Sequence, residues 1–285
     1  MGHYRRQLSR ADLTVEQVEV AGHQIAYVEG GVPEGEGEVV VMVHGFTGDK
    51  TNWYAFARHL ARGYHLYALD LPPFGESPEV EGTVYTITGH VERLTAFLEA
   101  VGVKKAHLVG NSMGGHTVAL YALAHPERVA SLALFDSAGV TSPEKSEAQR
   151  IGESGVNPLA VDTKEDLDRV LRLSFVDPPF VPRAARNYVF EQRRARGDQT
   201  RRLLEAYFDH WVPLEPDLSR IEVPTLVLWG DRDLITHPSA VGVFAEGLPN
   251  ETVVIMKACG HVPMMERPKE TAMHYLDFLK RAGAP

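Results

Sequence analysis

The sequence predicts a mostly parallel α/β sheet covered by helices on both faces. Short apolar runs alternate with stretches in which apolar residues recur every three or four positions, the spacing of one helix face. The apolar runs are Val39–Val43, His65–Leu69, Ala106–Val109, Ser131–Phe135, Thr225–Trp229 and Thr252–Met256. Each run is too continuously apolar to have a face in water, so we expect parallel strands buried on both faces. Because helical segments separate the strands, the fold class is doubly wound α/β.

Helical spacing and a hairpin complete this outline. Apolar residues at helical steps run through Ile87–Val101 and Val118–Ala124, which predicts two amphipathic crossover helices. Val15–Val20 and Gln24–Glu29 have the composition of strands and are joined at Ala21-Gly22-His23. This pattern predicts an antiparallel hairpin ahead of the main sheet.

The alternation of strands and helices stops between Gly139 and Pro216. This stretch is rich in proline and contains helix-like pieces but no strand-like run. The helix-like pieces are Glu165–Leu173, Ala184–Ala195 and Thr200–Phe208. We therefore expect a core made of residues 1–138 and 217–285, with residues 139–216 inserted as a helical cap.

Composition excludes several classes of protein. The chain has 285 residues and a formal net charge of −9, which is unfavourable for a protein that binds nucleic-acid backbones. Its one cysteine, Cys259, cannot form an internal disulfide and favours a reducing compartment. Residues 1–7 contain no apolar stretch that could serve as a signal peptide, and no run is long enough for a membrane span. We therefore expect a cytoplasmic protein.

The motif with the clearest chemistry follows the strand Ala106–Val109. Gly110-Asn111-Ser112-Met113-Gly114-Gly115 is a G-x-S-x-G element that leads directly into a helical run. A sharp turn of this kind projects a serine hydroxyl into a site, and it needs glycine where a Cβ atom would collide. The strand and helix on either side favour a nucleophile over a serine that merely begins a helix.

A serine nucleophile requires a base and an acid further along the chain, in the order Ser, Asp/Glu, His. His261 follows the strand Thr252–Met256, while Asp231 and Asp233 follow the strand Thr225–Trp229. These positions lie beyond the carboxyl ends of strands, where open α/β sheets bind ligands. One of the two aspartates is expected to be an ordinary turn residue, and Asp136, after Ser131–Phe135, is a third candidate for the acid.

An oxyanion intermediate requires backbone N–H donors close to the nucleophile. We expect the N–H of Met113 to be one donor and that of Phe46, in the glycine-rich loop after Val39–Val43, to be the second. His44 is expected to shape this loop rather than to act as a base. The histidines show no metal-binding spacing, so we predict neither a metal nor another cofactor.

These motifs together resemble the serine hydrolases of the α/β-hydrolase fold. The segments that carry the resemblance are His44–Trp53, Gly110–Gly115, Trp229–Asp233 and Cys259–Pro268. Within the superfamily, the first and last of these segments are similar to bacterial lipases and esterases and to monoacylglycerol lipases of animal membranes. The resemblance implies hydrolysis of acyl esters or monoacylglycerols through an acyl-enzyme, with residues 139–216 as the family's cap. It also implies that Asp233 is the acid, because the family acid lies three residues after the glycine of Trp-Gly.

Two other functions are consistent with the serine motif. Carbon–carbon bond hydrolases of the meta-cleavage-product type share it, but they usually have Gly-Pro-Gly after His-Gly and tryptophan after the catalytic histidine. This chain has Phe46-Thr47-Gly48 and Val262 at those places. A ligand receptor built on the same scaffold is the alternative from a different class. Turnover of a chromogenic ester separates a receptor from an enzyme.

The cap is expected to bind the acyl chain and to contact lipid. Its helices have more apolar residues than they can bury among themselves. The candidate lining residues are Leu159, Leu171, Phe175, Phe180, Phe208 and Trp211. Residues 183–202 contain seven arginines and two acidic residues, which favours a solvated face or, alternatively, transient contact with an anionic lipid surface.

Overall fold

A computed structural model describes residues 13–283. The prediction that residues 1–7 contain no signal peptide concerns residues outside that range. The chain forms one eight-stranded sheet in the order β1-β2-β4-β3-β5-β6-β7-β8. The strands are β1 Leu13–Val20, β2 His23–Gly31, β3 Glu38–Val43, β4 Tyr64–Leu69, β5 Ala106–Asn111, β6 Val129–Phe135, β7 Thr225–Gly230 and β8 Glu251–Met256. Only β2 runs antiparallel to its neighbours, β1 and β4, and the other pairings are parallel. The predicted doubly wound sheet and its leading hairpin are confirmed.

Ten α-helices cover the sheet or lie between its strands in the described residues. They are α1 Tyr54–Ala57, α2 Ile87–Ala100, α3 Met113–Ala124, α4 Glu147–Glu153, α5 Lys164–Ser174, α6 Arg183–Ala195, α7 Gly197–Asp209, α8 Ala240–Gly247, α9 Pro263–Glu266 and α10 Pro268–Arg281. Both predicted crossover helices are present as α2 and α3. Within residues 13–283, no helix has the length and apolar character needed to cross a membrane.

The central strands are buried on both faces, as predicted, whereas the last strand is not. Every residue of β4, β5 and β7 is buried. In β8, however, Val253 is 40% exposed and Ile255 is 45% exposed, so the expectation of two buried faces is wrong for this strand. β8 lies at the edge of the sheet and pairs only with β7, and its outward face is incompletely covered.

Two apolar layers, one on each face, hold the sheet in place. One layer packs α2, α3 and α8 against the sheet around residues such as Phe97, Tyr121 and Phe244. The other packs α1 and α10 around Trp53, Phe56 and Tyr275. Because the parallel strands all point the same way, the loops that follow them meet at one edge of the sheet.

The segment between β6 and β7 contains helices α4 to α7 and, in the described structure, no strand. The three predicted helical pieces correspond to α5, α6 and α7, while α4 was not predicted. Thr163 and Ser146 begin α5 and α4 with capping boxes, in which a side-chain oxygen accepts from the third amide of the helix. A small separate core of Val161, Leu167, Val170 and Phe190 holds α5 against α6.

Candidate active site

Ser112 lies at a strained turn between β5 and α3. Its φ of 56° and ψ of −122° lie outside the regions that non-glycine residues commonly adopt, and its backbone N–H is held by the carbonyl oxygen of Phe135 at 3.0 Å. A Cβ atom at Gly110 would lie 2.3 Å from the carbonyl oxygen of Gly114, and one at Gly114 would lie 2.2 Å from that of Val43. The two glycines therefore allow the strand, the turn and the helix to approach one another this closely.

His261 and Asp233 form a buried pair beside this turn. The two atoms His261 Nδ1 and Asp233 Oδ2 are 2.8 Å apart, and the residues are only 5% and 2% exposed. Asp233 also accepts from the Thr236 hydroxyl at 2.6 Å and from the backbone N–H of Ile235 at 2.7 Å. Because the carboxylate holds the proton on Nδ1, the Nε2 atom of His261 is left free to accept one.

The other two candidate acids have different surroundings. Asp231 lies 3.7 Å from the ammonium group of the exposed Lys257, as expected for an ordinary turn residue. Asp136 is fully buried at the end of β6, and its Oδ1 accepts from the backbone N–H of Gly230 at 2.9 Å. Burial and the neighbouring charge of Asp233 raise the pKa of Asp136 well above its ordinary range.

Asp136, Asp233 and His261 also form the one cluster in the described residues whose spacing suits a metal ion. Their ligand atoms all lie within 4.8 Å of one another. However, Asp233 Oδ2 and His261 Nδ1 already hydrogen-bond to each other, and Asp136 Oδ1 is bound to a backbone N–H. The cluster is therefore a hydrogen-bonded set of side chains.

Asn111 is a site residue that was quoted in the sequence motif but not given a role. Its side-chain amide donates to the backbone oxygens of Phe135 at 3.0 Å and His261 at 2.9 Å. It thus ties the nucleophile turn to the histidine loop. A polar residue at the end of an otherwise apolar strand is the signal that could have identified it.

The loop after β3 approaches the nucleophile as closely as its glycines allow. A Cβ atom at Gly45 would lie 3.0 Å from the Cβ of Ser112, and Thr47 has a positive φ of 58°. His44 shapes this loop as predicted, because Nε2 accepts from the backbone N–H of Leu71 at 3.0 Å and Nδ1 donates to the Gly45 carbonyl at 2.8 Å. Burial lowers the pKa of His44 and keeps it neutral.

The two predicted oxyanion donors belong to the helix that follows Ser112 and to the loop that follows β3. Met113 is the first residue of α3, and the first four amides of a helix have no intrahelical acceptor. Phe46 is in the loop after β3, one residue beyond Gly45, and its ring packs edge-on against Phe74 with a centroid distance of 5.3 Å. Both assignments stay predictions.

The β6–β7 segment contacts the loops that carry His261 and Thr47. At one, the backbone N–H of His261 donates to the carbonyl oxygen of Ser174 at 3.0 Å, and the carboxylate of Glu266 accepts from the amides of Gly260, Val176 and Asp177. At the other, the guanidinium of Arg193 on α6 donates to Thr47 Oγ1 at 3.1 Å. Neither contact was predicted: Glu266 had no predicted role, and Arg193 was one of several basic residues in residues 183–202.

The six proposed cap lining residues have different environments. Leu171 packs against the small core between α5 and α6, and Trp211 lies against His116 with ring centroids 4.9 Å apart. Leu159 and Phe175 are partly buried. Phe180 and Phe208, at 91% and 60% exposed, lie on the surface and do not line an enclosed pocket in this conformation.

Most arginines of residues 183–202 are paired within the protein. The side-chain partners are Asp168 for Arg186, Glu191 for Arg194, Asp162 and Asp198 for Arg201, and Glu79 for Arg202. Arg196 donates to the backbone oxygen of Gly75 at 3.1 Å. In the described structure, Arg183 alone of the seven has no such contact, so this stretch offers little free positive charge.

Comparisons with known proteins agree with this geometry. A family model described as the alpha/beta hydrolase fold matches residues 38–268. Lipase 1 of Psychrobacter immobilis is 33% identical over 95% of this chain and 85% of its own, and monoacylglycerol lipase abhd6-B of Xenopus laevis is 30% identical over 97% and 84%. The crystal structure of a membrane phospholipase A, described as a bacterial virulence factor, has a TM-score of 0.96 and 43% identity over 99% of this chain and 90% of that chain.

Proposed function

The chain belongs to the alpha/beta hydrolase fold family, and from that membership we propose that it hydrolyses carboxylic esters with Ser112 as nucleophile, His261 as base and Asp233 as the acid that orients the base. The observation that carries this proposal is the buried 2.8 Å contact between His261 Nδ1 and Asp233 Oδ2, beside a serine held at positive φ. The names of its relatives, two lipases and a phospholipase, support the substrate class.

The reaction follows from these roles. Ser112 Oγ attacks the ester carbonyl carbon while His261 Nε2 takes the hydroxyl proton, and the N–H groups of Phe46 and Met113 stabilise the oxyanion. His261 then gives this proton to the leaving alkoxide, which departs as an alcohol. Water attacks the acyl-enzyme with His261 again as base, which releases the carboxylic acid and restores Ser112.

Short- to medium-chain acyl esters or monoacylglycerols are the proposed substrates. A hydrolysis panel of purified protein on acyl esters, monoacylglycerols, triacylglycerols and a glycerophospholipid tests this choice. We expect several turnovers per enzyme on at least one ester. The panel includes a dienone meta-cleavage product, and a faster reaction on that compound would indicate carbon–carbon cleavage instead. Binding without turnover would indicate a receptor.

Transient contact with a lipid surface is part of the proposal. The region around Phe180 has exposed apolar side chains, including Val181 at 44% and Tyr188 at 66%, next to the unpaired Arg183. Replacing Arg193 or Arg196 would break contacts with the core loops. The suitable test is therefore a Phe180→Ser, Val181→Ser double variant, compared with Met273→Ser, which removes a 54% exposed side chain on α10.

The double variant should hydrolyse a soluble short-chain ester at the wild-type rate but act more slowly on vesicles that contain anionic lipid. The Met273→Ser variant should match the wild type on both substrates. Equal vesicle binding and hydrolysis by the double variant and the wild type would remove the lipid contact from the proposal while leaving ester hydrolysis intact.

A further inference from the structure

Asp136 is a buried carboxyl group that the mechanism above does not use. It is 0% exposed, and its backbone is held at the end of β6 by a bond from its N–H to the Leu228 carbonyl oxygen at 2.9 Å. The titratable groups that face it are Asp233, His261, Cys259 and Glu266. No lysine or arginine forms an ion pair with Asp136 anywhere in residues 13–283.

The hydrogen bonds of Asp136 account for only one of its oxygens. Oδ1 accepts from the N–H of Gly230, whereas Oδ2 is fully buried and has no donor among the described residues. A buried carboxylate oxygen without a donor is costly, but a protonated oxygen becomes a donor itself. The Asp233 carboxylate is the neighbouring acceptor, because the side chains of Asp136 and Asp233 are close enough to share a hydrogen bond. One oxygen of each lies within 4.8 Å of the other and of a ring nitrogen of His261.

Two carboxyl groups this close in a buried site cannot both ionise readily. Asp233 has the donors that a carboxylate needs, from Thr236, Ile235 and His261. Asp136 has one backbone donor and a pKa that burial and the charge of Asp233 raise. The negative charge therefore resides on Asp233 and the proton on Asp136.

We propose that Asp136 is a positioning residue whose protonated carboxyl group donates a hydrogen bond from Oδ2 to the Asp233 carboxylate and thereby fixes the acid that orients His261. This inference rests on the proposed function. It also predicts a second behaviour: when Asp233 is neutralised, its repulsion disappears and burial alone still disfavours the charged form of Asp136. Asp136, which has an oxygen within 4.8 Å of a His261 ring nitrogen, can then pair with His261 as it becomes protonated and partly replace Asp233.

Steady-state kinetics of four variants across a range of pH test this proposal. Asp136→Asn keeps a donor, so kcat should stay within about threefold of the wild type. Asp136→Leu has a similar shape but no donor, and kcat should fall at least about tenfold with little change in KM. Asp136→Asn/Asp233→Asn should be at least about tenfold slower than Asp233→Asn, because the Asp136 carboxylate is no longer present to replace that of Asp233.

Infrared difference spectra between wild type and Asp136→Asn test the protonation of Asp136 directly, while the comparison of Asp233→Asn with Asp136→Asn/Asp233→Asn is the readout that a purely structural role would not change. At neutral pH, the wild type should show the carbonyl band of a protonated carboxylic acid, and Asp136→Asn should lack it. This measurement and the comparison at Asp233 hold even if Asp136→Leu fails to fold.

The proposal is overturned if no such band is present or if Asp136→Asn loses as much activity as Asp136→Leu. It is also overturned if Asp233→Asn and Asp136→Asn/Asp233→Asn are equally slow. A Ser112→Ala variant separates the two levels of inference. Retained ester hydrolysis in Ser112→Ala contradicts the proposed function itself. Loss of hydrolysis in Ser112→Ala, together with a wild-type kcat in every Asp136 variant, contradicts only the role of Asp136.

Discussion

The sheet edge that carries Ser112, Asp233 and His261 and the helical segment between β6 and β7 are stabilised in different ways. At the edge, Ser112, Asp233 and His261 are at most 8% exposed, and short hydrogen bonds hold them between neighbouring strands. In the helical segment, α7 packs Leu203 and Tyr207 into the main core, whereas α5 and α6 have only a small core between them and surface ion pairs around it. Surface ion pairs contribute about 1 kcal/mol or less each, whereas breaking a buried network costs several times more. The comparison indicates that the cluster around His261 is held more firmly than helices α5 and α6.

The largest effect is expected at the sheet edge. Ser112→Ala should lower kcat by on the order of 10⁴-fold or more, because the nucleophile and its base act as a unit. Thermal unfolding should show the fold intact, because removing the hydroxyl does not disturb the close packing at Gly110 and Gly114. More than about a tenth of wild-type esterase activity in this variant would rule out the acyl-enzyme mechanism.

The second prediction compares two aspartates two residues apart. Asp233→Asn should lower kcat by on the order of 10³-fold, because the amide cannot hold His261 in the required tautomer. Asp231→Asn is the matched control and should have little effect, since this residue faces Lys257 rather than the histidine. Equal losses, or a larger loss in Asp231→Asn, would overturn the assignment of the acid.

The third prediction concerns a buried histidine that joins the two regions. His116 on α3 bonds to the Tyr207 hydroxyl and to the Val212 carbonyl, each at 2.8 Å, and burial lowers its pKa to about 4. Below pH 6.5 the unfolded chain takes up a proton that the folded chain does not, so the free energy of unfolding falls as the pH falls towards 4. The loss from this site should reach about 3 kcal/mol.

Urea unfolding at a series of pH values measures this loss. His116→Gln should be less stable at pH 7 but should depend less on pH between 6.5 and 4. The exposed His210 provides the control, because His210→Gln should keep the wild-type dependence. An unchanged slope in His116→Gln would show that other groups cause the acid sensitivity.

The smallest effect is expected where the helical segment contacts the oxyanion loop. Arg193→Gln removes the charged donor to Thr47, the neighbour of Phe46, and should lower kcat about tenfold, because a hydrogen bond from a charged group is worth about 1.5–3 kcal/mol. Arg194→Gln is matched in position and chemistry, but it removes only an exposed pair with Glu191. Identical kinetics of the two variants would mean that the contact between α6 and the Thr47 loop does not support the reaction.

The sequence predicted the central strands and the sharp turn at Ser112 well, because both depend on local patterns. Continuous apolar runs reveal strands such as β5, and the glycines around Ser112 follow from steric demands within a few residues. The exposure of β8 was missed, because whether an apolar strand lies at the centre or the edge of a sheet is decided by pairing. Composition alone does not carry that information.

Long-range polar contacts in the site were the hardest to predict. Asn111 reaches the backbone of His261 across 150 positions, and Arg193 reaches Thr47 across 146. Asn111 is conspicuous as a polar residue at a strand end, but no local pattern indicates which distant groups either side chain contacts. The choice between Asp231 and Asp233 likewise depended on a family resemblance, since both follow the same strand and differ only in the direction that the turn gives their side chains.

Glu266 has a consequence for how this chain can be remodelled. Its carboxylate accepts from Val176 and Asp177 on one side and from Gly260 on the other, so the histidine loop and the start of the exposed 176–182 stretch share one anchor. A graft that exchanges the whole segment between β6 and β7 would remove the amides of Val176 and Asp177. The Glu266 carboxylate would then keep only the Gly260 donor, close to His261. Cutting after Asp177 and before Arg193 would keep both attachments, and substrate range could then be redesigned by exchanging modules within these limits.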